Sequence, residues 1–201
     1  MLLLSFFKPI LNALDDGKVI RSSIALVLQI LGVLSIVCGV YLLVEMLKAS
    51  FSLETEGIIG GLLLSIVFMA AILAVAQIFF HRAMNVRDLG ESQFTVIPIF
   101  SILFRCFGEI YATLGLAIGV GGCLFTWLSK YNPLYLFGDL GRFFPSLSAG
   151  GSFLGGLLFL VSFSLLSFAI VVVFYFLAES TVVLVDIAKN IRQLLQKSNV
   201  R

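Results

Sequence analysis

The sequence predicts an all-α integral membrane protein with four transmembrane helices, built as two parallel two-span repeats. An interfacial helix precedes the spans and an amphipathic cytoplasmic helix follows them. Three observations carry this expectation. The 201 residues are 60% hydrophobic and 12% charged, where soluble domains run at about 45–50% and about 25%, and the mean hydropathy is +1.13. Four stretches reach the roughly 20 apolar residues that a helix needs to cross a hydrocarbon core of about 30 Å. Lys and Arg alternate in density between successive links, as the retention of basic residues on the cytoplasmic side demands.

The elements follow in order within a single membrane domain, 1–201. Residues 1–16 carry Phe6, Phe7, Ile10, Leu11 and Leu14 at helical spacing, with Pro9 early and Asp15, Asp16 and Gly17 closing the segment, which predicts a helix in the plane of the headgroups. No leading Lys or Arg and no small-residue cleavage site mark this segment as a secretory signal, so it is expected to stay in the mature protein. Spans are expected at 22–44, 57–80, 107–128 and 151–177. Phe94 to Phe104 is also apolar, but Pro98 and Arg105 interrupt it, and it reads as an interfacial lead-in to the third span. After the fourth span, Leu184, Ile187, Ile191 and Leu194 repeat at helical spacing with Asp186, Lys189 and Arg192 off the stripe. Residues 178–196 are therefore expected as a cytoplasmic amphipathic helix that lies on the membrane, pairs with another helix or extends as a stalk.

Orientation comes from the basic residues. Ten of them, Lys8, Lys18, Arg21, Arg82, Arg87, Arg105, Lys189, Arg192, Lys197 and Arg201, flank one side of the spans, and three, Lys48, Lys130 and Arg142, flank the other. Both termini are expected in the cytoplasm. Trp127, Tyr131, Tyr135, Phe137, Phe143 and Phe144 gather about the third link, where an outer aromatic belt is expected.

An offset of 83 residues aligns Leu31, Gly32 and Gly39 with Leu114, Gly115 and Gly122. An offset of 95 aligns Gly60, Gly61, Phe68, Phe79 and Ala83 with Gly155, Gly156, Phe163, Phe174 and Ala178. This reads as a duplication, 1–90 and 93–196, related by an axis along the membrane normal. It predicts a pseudo-two-fold four-helix arrangement. Gly57 and Gly61, Gly115 and Gly119, and Gly151 and Gly155 each form a G-x-x-x-G, a spacing that lets helix backbones approach within one chain or between copies.

Composition excludes several functions. A net charge of +2 provides no nucleic-acid surface. Cys38, Cys106 and Cys123 have neither metal-ligand nor disulfide spacing, and His81 is the sole histidine, so no haem or multi-histidine metal site is indicated. No catalytic, cofactor-binding or metal-binding residues are assigned, and an enzyme is not expected. Gln29 and Gln77 are the deepest strongly polar residues, which argues against ion-coupled transport, since that chemistry uses midplane carboxylates or histidines. The remaining candidates are Arg105 and Glu109, one turn apart near the start of the third span, with His81, Arg82 and Glu179 at the same membrane level. They read either as ion pairs pinning the helices or as a cytoplasm-facing site for an anionic headgroup, an ion or a partner.

The tail residues Glu179, Val182, Val183, Leu184, Ile187, Ala188, Asn190 and Arg192 resemble a family of small uncharacterised bacterial membrane proteins. Their two-span unit ends in Glu, a Val/Leu run and Ile-Ala-x-Asn-x-Arg. The resemblance implies a bacterial inner-membrane setting and carries no activity with it. The expected function is a non-catalytic structural or accessory subunit of an inner-membrane assembly. The alternatives are a homo-oligomeric channel or passive transporter, and a lipid-headgroup binder at the cytoplasmic interface. The expected partners are the bilayer and other membrane subunits or further copies of the chain.

Overall fold

A computed structural model describes residues 17–89, 96–129, 133 and 152–198. The expected interfacial helix at 1–16, Gly151 and the aromatic residues from Tyr131 to Phe144 lie outside them. Among the described residues there are four α-helices: α1 (Lys18–Phe51), α2 (Thr55–Arg87), α3 (Val96–Ser129) and α4 (Phe153–Ser198). All four are long and apolar enough to cross a membrane. At 1.5 Å per residue, α1 to α3 are each about 50 Å long, so every helix outruns the apolar stretch that announces it.

The ends of the helices follow from local chemistry. Gly17 precedes α1 with φ of 64°, a left-handed conformation that costs glycine little. Only Ser52, Leu53 and Glu54 separate α1 from α2. There Ser52 donates from its N–H (3.3 Å) and its hydroxyl (2.7 Å) to the Ala49 carbonyl, and Leu53 N–H donates to Ser50 (3.1 Å). Ser152 caps α4, its Oγ accepting the Gly155 N–H at 3.1 Å, the Ser-to-N3 bond of an N-cap.

One expectation about α3 changes. The interfacial lead-in at 94–104 is no separate element, because α3 runs unbroken from Val96 to Ser129. Pro98 is the third residue of that helix, in the turn whose N–H groups have no intrahelical partner anyway, so its missing N–H breaks nothing. From Phe153 the fourth apolar stretch continues into the tail as one helix of 46 residues, about 69 Å long.

Helices adjacent in sequence pack antiparallel. The buried residues of α1, Ala25, Leu28, Gly32, Gly39, Met46 and Ser50, recur at 3, 4 or 7 and form one narrow stripe against α2. Gly60 and Gly121 admit Phe125 and Leu64 between α2 and α3. Gly108, Gly115, Gly119 and Gly122 form a stripe on α3 that receives Phe174, Ser167, Phe163 and Phe159 of α4. Small residues on one helix and bulky ones on the next bring backbones close enough for extensive van der Waals contact, the drive that lipid leaves available.

The two halves do not share a packing register. The sequence offsets carry the meeting of Gly32 with Phe79 onto Gly115 with Phe174. Instead Gly115 lies against Ser167, and Phe174 lies against Gly108, seven residues or two turns away. The apparent duplication is therefore a likeness of sequence that the helix contacts do not repeat.

One core joins α1, α2 and α3 near the end where α1 begins, through Ala25, Leu28, Val75, Ala83, Val86, Ile99, Cys106 and Ile110. This end is called proximal below. A second core, Met46, Leu64, Phe68, Ile72 and Phe125, lies toward the distal end. Between them α1 and α4 leave a cavity of about 530 Å³. It is open on one side and lined mainly by apolar groups, with contributions from every helix, among them Cys38, Ile72, Ile118 and Ser167.

Candidate functional site

The site grows out of a glycine. A Cβ at Gly108 would sit 2.8 Å from Phe174 Cβ, closer than carbon atoms approach, so only glycine allows α4 this near to α3. The neighbouring residue, Tyr175, then reaches Glu109, and its hydroxyl donates to Glu109 Oε1 at 2.7 Å. On the other flank, Ala83 and Val86 of α2 pack against Cys106 and Ile110 of α3 in the proximal core. That contact sets Arg82 opposite the same carboxylate.

Arg82 grips Glu109 with two donors, Nε to Oε2 at 2.9 Å and Nη2 to Oε1. The pair is mostly enclosed, with 14% and 23% of the side chains exposed. Two parallel N–H···O bonds to one carboxylate are the strong form of this interaction. With Tyr175 added, both carboxylate oxygens of Glu109 are engaged. Its backbone carbonyl also accepts the Thr113 hydroxyl at 2.7 Å.

Arg105 stands one turn from Glu109 and does not pair with it. Its guanidinium carbon lies 5.6 Å from the centroid of the Tyr175 ring, within cation–π range. Its Nε is enclosed and has no hydrogen-bond partner, and no ion pair of Arg105 occurs among the described residues. Two guanidinium groups and one carboxylate leave the cluster with an excess positive charge.

Of the five residues that the sequence singles out, the structure thus brings Arg82 and Glu109 into contact and holds Arg105 beside them through Tyr175. His81 and Glu179 are exposed and take no part in the recorded bonds of the cluster. Tyr175 is the residue that sequence reasoning missed. The available signal was a phenol hydroxyl inside an otherwise apolar run, which needs a partner when enclosed. Arg21, counted in the sequence only for its charge, is buried and donates to the carbonyls of Gly17 and Leu89, fastening the start of α1 to the end of α2.

The glycines of two of the three G-x-x-x-G motifs meet side chains of this same chain. A Cβ at Gly57 would meet Leu53 in the α1–α2 link, and one at Gly61 would lie 2.5 Å from Ser50 Cβ on α1. Gly115 and Gly119 face Ser167 and Phe163 of α4. Gly155 is buried in the first turn of α4.

Comparison of the chain with family models, with curated proteins and with solved structures finds no match. What the fold itself defines is a class: a helical protein with, among the described residues, four helices of membrane-crossing length and hydropathy.

Proposed function

We propose that the chain is a non-catalytic structural or accessory subunit of a bacterial inner-membrane assembly, crossing the bilayer four times with both termini in the cytoplasm. The observation that carries this reading is the unbroken course of α4. The helix continues unbroken across Glu179. A helix about 69 Å long exceeds a hydrocarbon core of about 30 Å by more than its own half. To lie on the membrane surface the tail would need a kink where the span ends. Leu184, Ile187, Ile191 and Leu194 are each at least 50% exposed, and beyond the bilayer such a stripe is best covered by an apolar helix of another subunit.

The flanking helices are consistent with a laterally shared surface. In their most apolar 18-residue windows, α1 and α4 are 17% buried, against 44% and 50% for α2 and α3. A photo-reactive residue at Leu184 or Ile191, in the protein expressed in its own membrane, is expected to give a discrete cross-link to a different chain. Native mass spectrometry of the gently extracted protein should show the same chain at fixed stoichiometry, and Ile191→Arg should remove it. Extraction as a lone copy, or only as a homo-oligomer, overturns the reading.

A further inference from the structure

We infer that Arg105, presented by the Tyr175 ring, binds the phosphodiester of an anionic phospholipid headgroup. This rests on the membrane placement proposed above and not on the subunit role. Three observations converge on it. The first is charge. Arg82 and Glu109 satisfy one another through two bonds, so the guanidinium of Arg105 is the charge left over. Both oxygens of Glu109 are already engaged elsewhere, Oε1 accepting Arg82 and Tyr175 and Oε2 accepting Arg82.

The second observation is depth. Arg105 stands 24 residues from the distal end of α3 at Ser129, which is about 36 Å of helix. With that end at one interface, a hydrocarbon core of about 30 Å puts Arg105 just past its far edge, where lipid phosphates lie. An unpaired cation buried among apolar helices costs free energy. At the edge of the core, a neighbouring phosphate offsets that cost.

The third is orientation. An arginine at an interface ordinarily snorkels on a flexible stem, but here the stem is held. Arg82 holds Glu109, Glu109 accepts the Tyr175 hydroxyl, and the Tyr175 ring carries the guanidinium at 5.6 Å. Glu109 and Tyr175 are positioning residues in this arrangement. A planar guanidinium whose face is occupied by a ring has its N–H edge left for an acceptor, and that edge matches two oxygens of a phosphate.

The test uses the full-length protein in mixed vesicles of phosphatidylglycerol and phosphatidylcholine, followed by native mass spectrometry of the protein released from them. The wild type is expected to retain one phosphatidylglycerol in preference to phosphatidylcholine by about fivefold or more, on the scale of one basic residue near an anionic surface. Arg105→Gln should abolish that preference while the circular dichroism melt remains cooperative. Arg105→Lys should recover only part of it, since an ammonium keeps the charge and loses the fork. Arg87→Gln, an exposed cation five residues beyond Arg82, should leave the preference intact.

No preference in the wild type, full retention in Arg105→Gln, or an equal loss in Arg87→Gln would each overturn the inference. Displacement of the lipid by millimolar inorganic phosphate would instead identify a soluble-anion site and overturn the lipid assignment. Release of the wild type from native membranes by alkaline carbonate would point to failure of the membrane placement itself, separately from the headgroup site.

Discussion

The α1–α2 pair and the α3–α4 pair use one packing device to different ends. In both, glycines on one helix receive larger side chains from the next. In the first pair the contacts of Gly32, Gly39 and Gly61 with Phe79, Ile72 and Ser50 hold a hairpin closed by a three-residue link. The polar groups of that interface lie toward its ends, where Arg21 donates to the Leu89 carbonyl and the Ser50 hydroxyl donates to Met46 at 2.7 Å. In the second pair the glycine stripe lies two turns out of the register that the sequence alignment proposes, and this shift allows Phe174 to seat on Gly108 and Tyr175 to reach Glu109. A likeness of glycine spacing thus leaves register free, and register decides which polar side chains meet.

The sharpest way to break this comparison is a cross-link. A Cβ at Gly115 would lie 3.5 Å from Ser167 Cβ, inside the roughly 3.5–4.5 Å range of disulfides. With the three native cysteines replaced, the pair Gly115→Cys and Ser167→Cys is expected to oxidise nearly completely. Gly115→Cys with Phe174→Cys, the pair expected from the sequence offsets, should not. The readout is whether the two halves stay joined after proteolysis between α3 and α4. The reverse result would restore the duplicated register.

Removal of the shared carboxylate comes next in size. Glu109→Ala strands Arg82 and the Tyr175 hydroxyl together, and breaking an enclosed pair from one side costs about 3 kcal/mol. Unfolding in detergent followed by circular dichroism should show that loss, while Glu179→Ala at an exposed position changes stability by less than about 0.5 kcal/mol. Equal effects of the two would show that the cluster is not the pinning element.

Overpacking distinguishes the pairs more gently. Gly108→Ala and Gly61→Ala each force a methyl against a Cβ, at 2.8 Å from Phe174 and 2.5 Å from Ser50, at a cost of about 1–3 kcal/mol. Only Gly108→Ala should also weaken the headgroup preference, because it lifts Tyr175 away from Glu109. The smallest effect is expected from Tyr175→Phe, which removes one hydrogen bond worth about 1 kcal/mol. It keeps the ring under Arg105, so lipid retention should fall less than in Tyr175→Leu.

Much of this was legible in the residues themselves. The four long apolar helices were, because a run of some 20 apolar residues is a local property. The neighbourhood of Arg82, Arg105 and Glu109 could be anticipated from their distances to the span ends. Their partners could not. An i, i+4 spacing puts Arg105 and Glu109 on one side of α3, yet Glu109 turns to Arg82 across the helix interface and Arg105 to an aromatic face. Pro98 reads as a break until one knows that it falls in the first turn, where its missing N–H is harmless.

By itself, then, the sequence determined where the chain is apolar for long enough to form a long helix and where its basic residues gather. These follow from hydropathy and charge, each set within a few neighbouring residues. Only the tertiary structure decided the register of α4 on α3, the choice of Arg82 over Arg105 as the partner of Glu109, and the stranding of one guanidinium. Such choices depend on a few tenths of an ångström of backbone approach between helices distant in the chain, and the absence of a Cβ at Gly108 allows that approach.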